Sequence, residues 1–217
     1  MGRLSRFADV RWFAEVDSTN RLAADLARAG APDGVVVGAD HQLAGRGRRG
    51  RGWESRPGGS LLVSVVLRPV PPLVTLAAGV AAAAACEAVG VDVRLKWPND
   101  VMAADGKLGG ILSELVGDAA VVGLGLNLSW APPGAACLGP GAGRDTVLDA
   151  WLAALDAPGD VLARYRRLCS TLGRRVRVEV PGASFEGVAT DVDDAGRLVV
   201  DGRPIAAGDV VHLHPAR

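Results

Sequence analysis

The spacing of apolar side chains changes period several times along this 217-residue chain, and each change predicts an element. Residues 10–16 form a short apolar run and read as a strand. Asp17-Ser18-Thr19 then offers N-cap oxygens. Leu22, Ala23 and Leu26 repeat at helical spacing through 20–29, and Gly30 and Pro32 end the run. Residues 35–38 read as a second strand, 41–59 as a loop and 60–67 as a buried strand. After a proline break at 69–72, residues 73–89 are apolar on all sides and rich in alanine, the pattern of a buried helix. Residues 94–97 predict a strand stopped by Pro98. A turn follows at Asn99-Asp100 and a tight turn at Asp105-Gly106. Residues 107–116 and 119–128 read as a hairpin around Gly117-Asp118. A Pro-, Gly- and Ala-rich loop over 129–143 precedes two helices over 145–155 and 161–172.

Beyond Gly173 the texture changes. Short strands over 174–180, 184–192, 197–200 and 210–213 are punctuated by Pro-Gly, Asp-Asp-Ala-Gly, Asp-Gly and Gly-Asp. The expected organisation is an α/β (α+β) domain over 1–172, followed by a small all-β domain of about five strands over 173–217.

Composition narrows the function classes. Apolar residues make up 49% of the chain and charged residues 22%, enough for a sizeable core and against extended disorder. The 24 basic and 24 acidic side chains cancel, which disfavours a dedicated nucleic-acid binder despite a basic patch at 46–56. Cys86, Cys137 and Cys169 stand far apart, without disulfide or zinc spacing. The start, MGRLSRFADVRWF, lacks a signal-type apolar stretch, and Glu87, Pro72 and Asp92 leave 73–89 short for a membrane span. These features predict a cytoplasmic protein without membrane contact. Only Lys96 and Lys107 among the basic residues are lysines; this reads either as chance or as positions, Lys107 above all, where a compact ammonium does what arginine cannot.

Four segments carry candidate chemistry. Gly45-Arg46-Gly47-Arg48-Arg49-Gly50-Arg51-Gly52-Trp53 combines backbone N–H groups that approach an anion with bidentate guanidinium donors for phosphate. The same tract also reads as an RGG-like RNA binder or a plain exposed loop. In Lys96-Trp97-Pro98-Asn99-Asp100, Asn99 and Asp100 end a strand facing either a ligand or Mg²⁺, or form an Asx turn. Lys107-Leu108-Gly109-Gly110-Ile111-Leu112 puts an ammonium beside glycines that admit a flat ligand. Gly123-Leu124-Gly125-Leu126-Asn127 sets a polar Asn127 among apolar neighbours. Its glycine spacing is not that of a dinucleotide fingerprint.

Taken jointly and in this order, these segments closely resemble the biotin–protein ligase family, of the holocarboxylase synthetase type. The set comprises Asp17-Ser18-Thr19-Asn20, Gln42-x-x-Gly45-Arg46-Gly47-Arg48, Lys96-Trp97-Pro98-Asn99-Asp100, Lys107-Leu-Gly-Gly-Ile-Leu and Gly123-Leu-Gly-Leu-Asn127. The resemblance runs from about residue 10 to the C-terminus and is most like actinobacterial members. It implies a mixed-sheet catalytic domain followed by a small SH3-like β-barrel. With the catalytic domain starting near residue 10, it implies the non-repressor type, without an N-terminal DNA-binding domain. ATP, Mg²⁺ and biotin would be bound. The partner would be a biotin carboxyl carrier domain of an acyl-CoA or pyruvate carboxylase, and the chain would act as a monomer or homodimer without DNA.

By resemblance, Ser18, Thr19, Asn20 and Gln42 would hold the ureido ring. Gly45, Arg46, Gly47, Arg48, Gly109 and Gly110 would line the rest of the biotin site. Arg48 and Arg51 would meet the phosphates, and Lys107 the biotin carboxylate and α-phosphate; Arg48 and Lys107 are the expected catalytic pair. Asn99 and Asp100 would shape the nucleotide and Mg²⁺ end, with the metal's protein ligands unspecified. Asn127 would border the adenosine and Trp53 the adenine. Two departures stand out: Leu43 replaces a small polar residue, and the 129–143 loop is short where relatives cover adenine. A lipoate–protein ligase and an Arg/Gly-tract nucleic-acid-binding protein are the competing readings.

Overall fold

The structure, a computed structural model, describes residues 5–180 and 182–213. A 3-10 turn at Ser5–Phe7 leads into β1 (Val10–Val16), α1 (Thr19–Arg28), β2 (Val36–Gln42) and β3 (Ser60–Leu67). Then come α2 (Val74–Glu87), β4 (Arg94–Lys96), β5 (Asp100–Ala103), β6 (Gly106–Val116) and β7 (Ala119–Asn127). Helices α3 (Arg144–Asp156) and α4 (Val161–Leu168) close the first part. The second part holds β8 (Arg175–Val180), β9 (Ala183–Val192), β10 (Leu198–Val200), β11 (Arg203–Ile205) and β12 (Asp209–His212).

Seven strands form one mixed sheet in the order β1-β2-β3-β7-β6-β5-β4. Only β1 and β2 run parallel, because α1 is the crossover between them; the other neighbours are antiparallel. Helix α1 covers one face with Ala23, Ala24 and Ala27 against Val37, Val66 and Val121. Helix α2 covers the other face. Its alanines are buried all round, so the sheet, α3 and α4 approach it closely, and Trp151 Nε1 donates to Ala78 O at 3.2 Å. Each fully buried Leu, Ile or Val side chain here stabilises by about 1.5–3 kcal/mol.

The last five strands form an antiparallel sheet in the order β11-β10-β9-β8-β12. It is open: among the described residues no pairing closes β11 onto β12 into the expected barrel. Its apolar face, with Val176, Val178, Ala189, Leu198 and Val200, belongs to the same core as α2, Leu95 and Trp97. Trp97 Nε1 donates to Gly196 O at 3.1 Å. Trp97 N donates to Thr171 Oγ1 at 3.1 Å, and that hydroxyl lies 3.1 Å from His212 Nε2. No helix among the described residues is long and apolar enough to cross a membrane.

Several boundaries differ from the sequence reading, each for a tertiary reason. The second strand runs to Gln42 rather than 38, because β1 continues beside it as far as Val16↔Gln42. Asp100 begins β5 instead of sitting in a turn, paired across to Lys96 and Gly110. The last helix stops at Leu168 rather than 172, because Cys169 bridges to Leu95 and Ser170 N donates to Leu95 O. Within 41–59, Arg48–Gly50 makes one 3-10 turn, with Arg49 at φ 54°.

Candidate active site

Helix α1 begins against the end of β2, and this junction builds the first wall of a cleft. Ser18 occupies the N-cap position but makes no capping bond. Gln42 Oε1 takes its place, accepting from Thr19 N at 2.7 Å and Thr19 Oγ1 at 3.1 Å. Asn20 is buried beside them. Its Nδ2 donates to Leu112 O at 3.1 Å and Glu114 Oε2 at 3.0 Å, and its Oδ1 lies 2.7 Å from Ser64 Oγ. Four polar groups are thereby fixed in orientation before any ligand arrives.

The floor is where β6 and β7 pair Gly110 with Gly125 and Leu112 with Gly123. The missing side chains are filled from above. Asn20 Oδ1 occupies the space over Gly123, and the Trp53 ring lies over Gly125, where a Cβ would sit 2.7 Å from the ring. Lys107, at the start of β6, points its Nζ to 2.6 Å from Asp100 Oδ1 and 5.8 Å from the Trp53 ring centre.

The roof is the Arg/Gly loop. A two-strand bridge between Arg46 and Gly52 pinches it, and Trp53 N donates to Gly45 O at 2.9 Å. Arg46 makes a forked pair with Glu114 at 3.0 and 2.8 Å. Arg48 donates to Asn99 Oδ1 at 3.1 Å and to Gly208 O at 3.2 Å. Burial lowers the Arg48 pKa from its ordinary value while the Asp209 charge opposes the shift; the guanidinium stays cationic at neutral pH.

These walls enclose a cleft of about 680 Å³, part of it open to solvent. Of the residues singled out from sequence, it is lined by Ser18, Thr19, Asn20, Gln42, Arg46, Gly47, Arg48, Arg51, Trp53, Asn99, Asp100, Lys107 and Gly110. Gly45 does not line it and instead lies against the Trp53 carbonyl; Gly109 faces Leu126 and Gly125 O. Asn127 lies in an adjoining recess of about 540 Å³, lined also by Gly52, Trp53, Glu54, Lys107, Pro132 and Ala135. The short 129–143 loop therefore contributes a wall after all, through Pro132 and Ala135. Asn127 Nδ2 donates to Ala136 O at 2.8 Å, while its buried Oδ1 has no partner among the described residues.

The sequence reading missed three contributors. Glu114 stood two residues past a named motif, Ser64 interrupted the apolar run of a strand, and Asp209 lay in a turn of the C-terminal module far along the chain. Only Ser64 carried a local signal, since a buried hydroxyl in a strand needs partners.

A glycine-floored cleft with a preset polar end, one lysine and a cationic roof has the shape and charge to suit an elongated ligand, polar at one end and anionic in the middle. The comparisons with known proteins make this specific. The model of the Biotin/lipoate A/B protein ligase family matches residues 12–127, and that of the Biotin protein ligase C terminal domain matches residues 171–213. The chain belongs to the biotin/lipoate A/B protein ligase family. It is 41% identical to the biotin–[acetyl-CoA-carboxylase] ligase of Mycobacterium tuberculosis, over 92% of this chain and 87% of that protein. The corresponding ligase of Paracoccus denitrificans is 34% identical over 87% of this chain and 92% of its own length. Among solved structures, the biotin protein ligase from Aquifex aeolicus in complex with biotin and ATP superimposes with a TM-score of 0.80 at 25% identity. That match covers 94% of this chain and 98% of that one.

Proposed function

We propose that this chain is a biotin–protein ligase. It joins the biotin carboxylate to the α-phosphate of ATP, releases pyrophosphate, and transfers biotin from biotinyl-5′-AMP to a lysine. That lysine belongs to the biotin carboxyl carrier domain of an acyl-CoA or pyruvate carboxylase. The observation that carries the reading is the order of groups along the cleft. The Ser18–Thr19–Asn20–Gln42 corner offers donors and acceptors suited to a ureido ring. Lys107 stands at mid-cleft, the arginines cover it, and the Asn127 recess opens beyond. That sequence of chemistries matches a biotinyl-adenylate laid end to end. Asn127 borders the recess where the adenosine would lie, and Trp53 supplies a ring face.

The first step brings two anions together, so their repulsion must be cancelled. Lys107 lies where it reaches the carboxylate and α-phosphate together, and Arg48 and Arg51 neutralise the phosphates; such fixed charges are commonly the largest catalytic term. In the second step the carrier amine attacks the carbonyl carbon of the mixed anhydride while Lys107 polarises the carbonyl oxygen; the bond to the phosphate oxygen breaks, AMP leaves, and the amine gives up a proton as the amide forms. The residues present fit Mg²⁺ bound chiefly through ATP. Among the described residues no three His, Cys, Asp or Glu side chains cluster, and Asp100 is the carboxylate facing the cleft. Bound there, Mg²⁺ would offset charge on the leaving pyrophosphate.

Pyrophosphate release from Mg-ATP with biotin, with lipoate and with neither acid tests the reading. Release that requires biotin and is lost in Lys107→Ala supports it. Release with lipoate alone moves the chain to the other branch of the family, and none with either acid overturns the ligase reading.

A further inference from the structure

Three arginines of the roof converge on one carboxylate of the C-terminal module. Arg51 Nη2 donates to Asp209 Oδ1 at 3.0 Å, Arg49 Nη1 donates to Oδ2 at 3.3 Å, and Arg48 Nη1 lies 3.8 Å from Oδ1. Backbone acceptors flank this point. Gly208 O takes Arg48 Nη2 at 3.2 Å, and Glu179 O takes Arg49 Nη2 at 3.2 Å. Asp209 opens β12 and pairs directly with Glu179 on β8, so the carboxylate and both carbonyls belong to one end of one ladder. That ladder contributes Val176, Val178 and Val210 to the core shared with Trp97 and α2.

The charge count is what gives this contact meaning. One carboxylate faces three guanidiniums that repel one another, and without it the loop has every electrostatic reason to spread into solvent. At the loop's other end Arg46 is forked onto Glu114, which belongs to the main sheet. The roof is thus pinned at two ends, by acids from two different modules. The excess positive charge at the Asp209 end remains available to an incoming polyanion.

We propose that Asp209 is a positioning residue for the adenylation step. It is the anchor by which the C-terminal module gathers Arg48, Arg49 and Arg51 over the cleft before ATP arrives. This inference rests on the ligase reading above and assigns the module a part in it. Preset donors need no reorganisation when charge develops, which is where fixed cations contribute most. The sign separates the anchor from a simple field effect. Asp209 is itself an anion, so if only its field mattered, neutralising it would tighten ATP binding and leave turnover unharmed. If it anchors the roof, neutralising it lowers turnover and frees the loop.

The test uses the full chain with Asp209→Asn, Asp209→Glu and Arg49→Gln, the last breaking the same contact from the loop side without touching the module. Three quantities are read: kcat and KM in biotin-dependent ATP–pyrophosphate exchange, ligand-free trypsin cleavage after Arg48, Arg49 and Arg51 by mass spectrometry, and melting temperature. Asp209→Asn is expected to lower kcat by about tenfold or more and to speed cleavage by a similar factor, with the biotin KM changed by less than about twofold. Asp209→Glu should recover most of the lost kcat. Arg49→Gln should move both readouts in the same direction by less. Parental kcat and cleavage in both Asp209→Asn and Arg49→Gln would overturn the proposal. So would an Asp209→Asn loss that follows a lowered melting temperature and is no better in Asp209→Glu. If the parent itself shows no biotin-dependent exchange, the ligase reading falls, while the cleavage rates still decide whether Asp209 anchors the loop.

Discussion

Lys107 Nζ and Asp100 Oδ1 lie 2.6 Å apart on neighbouring strands, and the irregularity between Val101 and Met102 in the β5–β6 pairing is what brings them to the same edge of the cleft. The lysine side chain is 41% exposed, so the pair adds little to stability, on the order of 0–1 kcal/mol. Its effect is to hold the ammonium at the cleft with its hydrogens directed.

Lys107→Ala is therefore expected to lower the adenylation rate by about 10²–10³ while the fold is retained. Lys107→Arg should recover little of this, because a planar guanidinium cannot occupy the place of a compact ammonium beside Asp100. Single-turnover formation of biotinyl-AMP, with a melting curve for each variant, checks both statements.

Gly123→Ala is expected to damage biotin binding selectively. A Cβ at Gly123 would collide with Asn20 Oδ1, so Asn20 must swing away from Ser64, Leu112 and Glu114. Leaving buried polar groups unpaired costs about 1–3 kcal/mol; to the extent that biotin needs Asn20 in its original place, that cost appears as a rise in the biotin KM of up to roughly 5- to 150-fold. The KM for ATP should stay near the parental value. Exchange kinetics with each substrate varied in turn would reveal an equal effect on both, which would contradict this.

How far the site was legible in sequence depended on whether its chemistry was local. Arg48, Lys107 and Asn99 announced themselves because glycines, a lone lysine and a Pro-Asn-Asp turn are unusual in short windows. The glycine floor was half legible. Gly110 read as a place that admits a flat ligand, but that it pairs with Gly125 across β6 and β7 under Trp53 follows from register, which a linear reading does not give. Gly109 looked equivalent to Gly110, yet neighbouring residues on a strand point to opposite faces. Glu114 and Asp209 act on arginines 68 and 158 residues away, so no local pattern announced them. The fold followed the same rule. The strand at 10–16 and the buried helix near 73–89 are marked by apolar runs within the segments themselves. The end of α4 was set instead by Cys169 and Ser170 pairing with Leu95, a contact invisible to periodicity.

Thiol chemistry should divide the three cysteines. Burial pushes the Cys86 thiol up to about 12, and it raises Cys169 as well; Cys137 is only half-buried. At pH 8 a group titrating near 12 is thiolate in only about 10⁻⁴ of molecules. Iodoacetamide at that pH should label Cys137 in the native chain and all three after denaturation. Native labelling of Cys86 at a rate comparable to Cys137 would contradict the buried placement of α2.

Thr171→Val should loosen the two modules without touching the cleft. The Thr171 hydroxyl is fully buried, accepts from Trp97 N and contacts His212 Nε2. Valine keeps the shape and leaves the Trp97 amide unpaired, a loss of about 1–3 kcal/mol. In a chain of this size each kcal/mol lowers the melting temperature by about 2–4 °C. Calorimetry reads this drop, and an unchanged melting temperature would mean the contact contributes nothing.

Arg48→Gly tests whether the roof retains the reactive intermediate. The side chain is 19% exposed and ties the loop to Asn99 on one side and Gly208 on the other, so its removal opens the cleft between the two modules. A hydrolysable anhydride needs water excluded, and a loosened roof fails at that before it fails at binding. The variant is therefore expected to release biotinyl-AMP and to biotinylate free amines in solution, at a rate at least about tenfold above the parent. With Lys96 and Lys107 as the only lysines, self-labelling should be confined to those two and the N-terminal amine. Streptavidin detection on a lysine-rich bystander protein reads the leak, and mass spectrometry reads the self-labelled positions. If the variant still makes the adenylate but labels the bystander no faster than the parent does, the roof does not retain the intermediate, and Arg48 acts through charge alone.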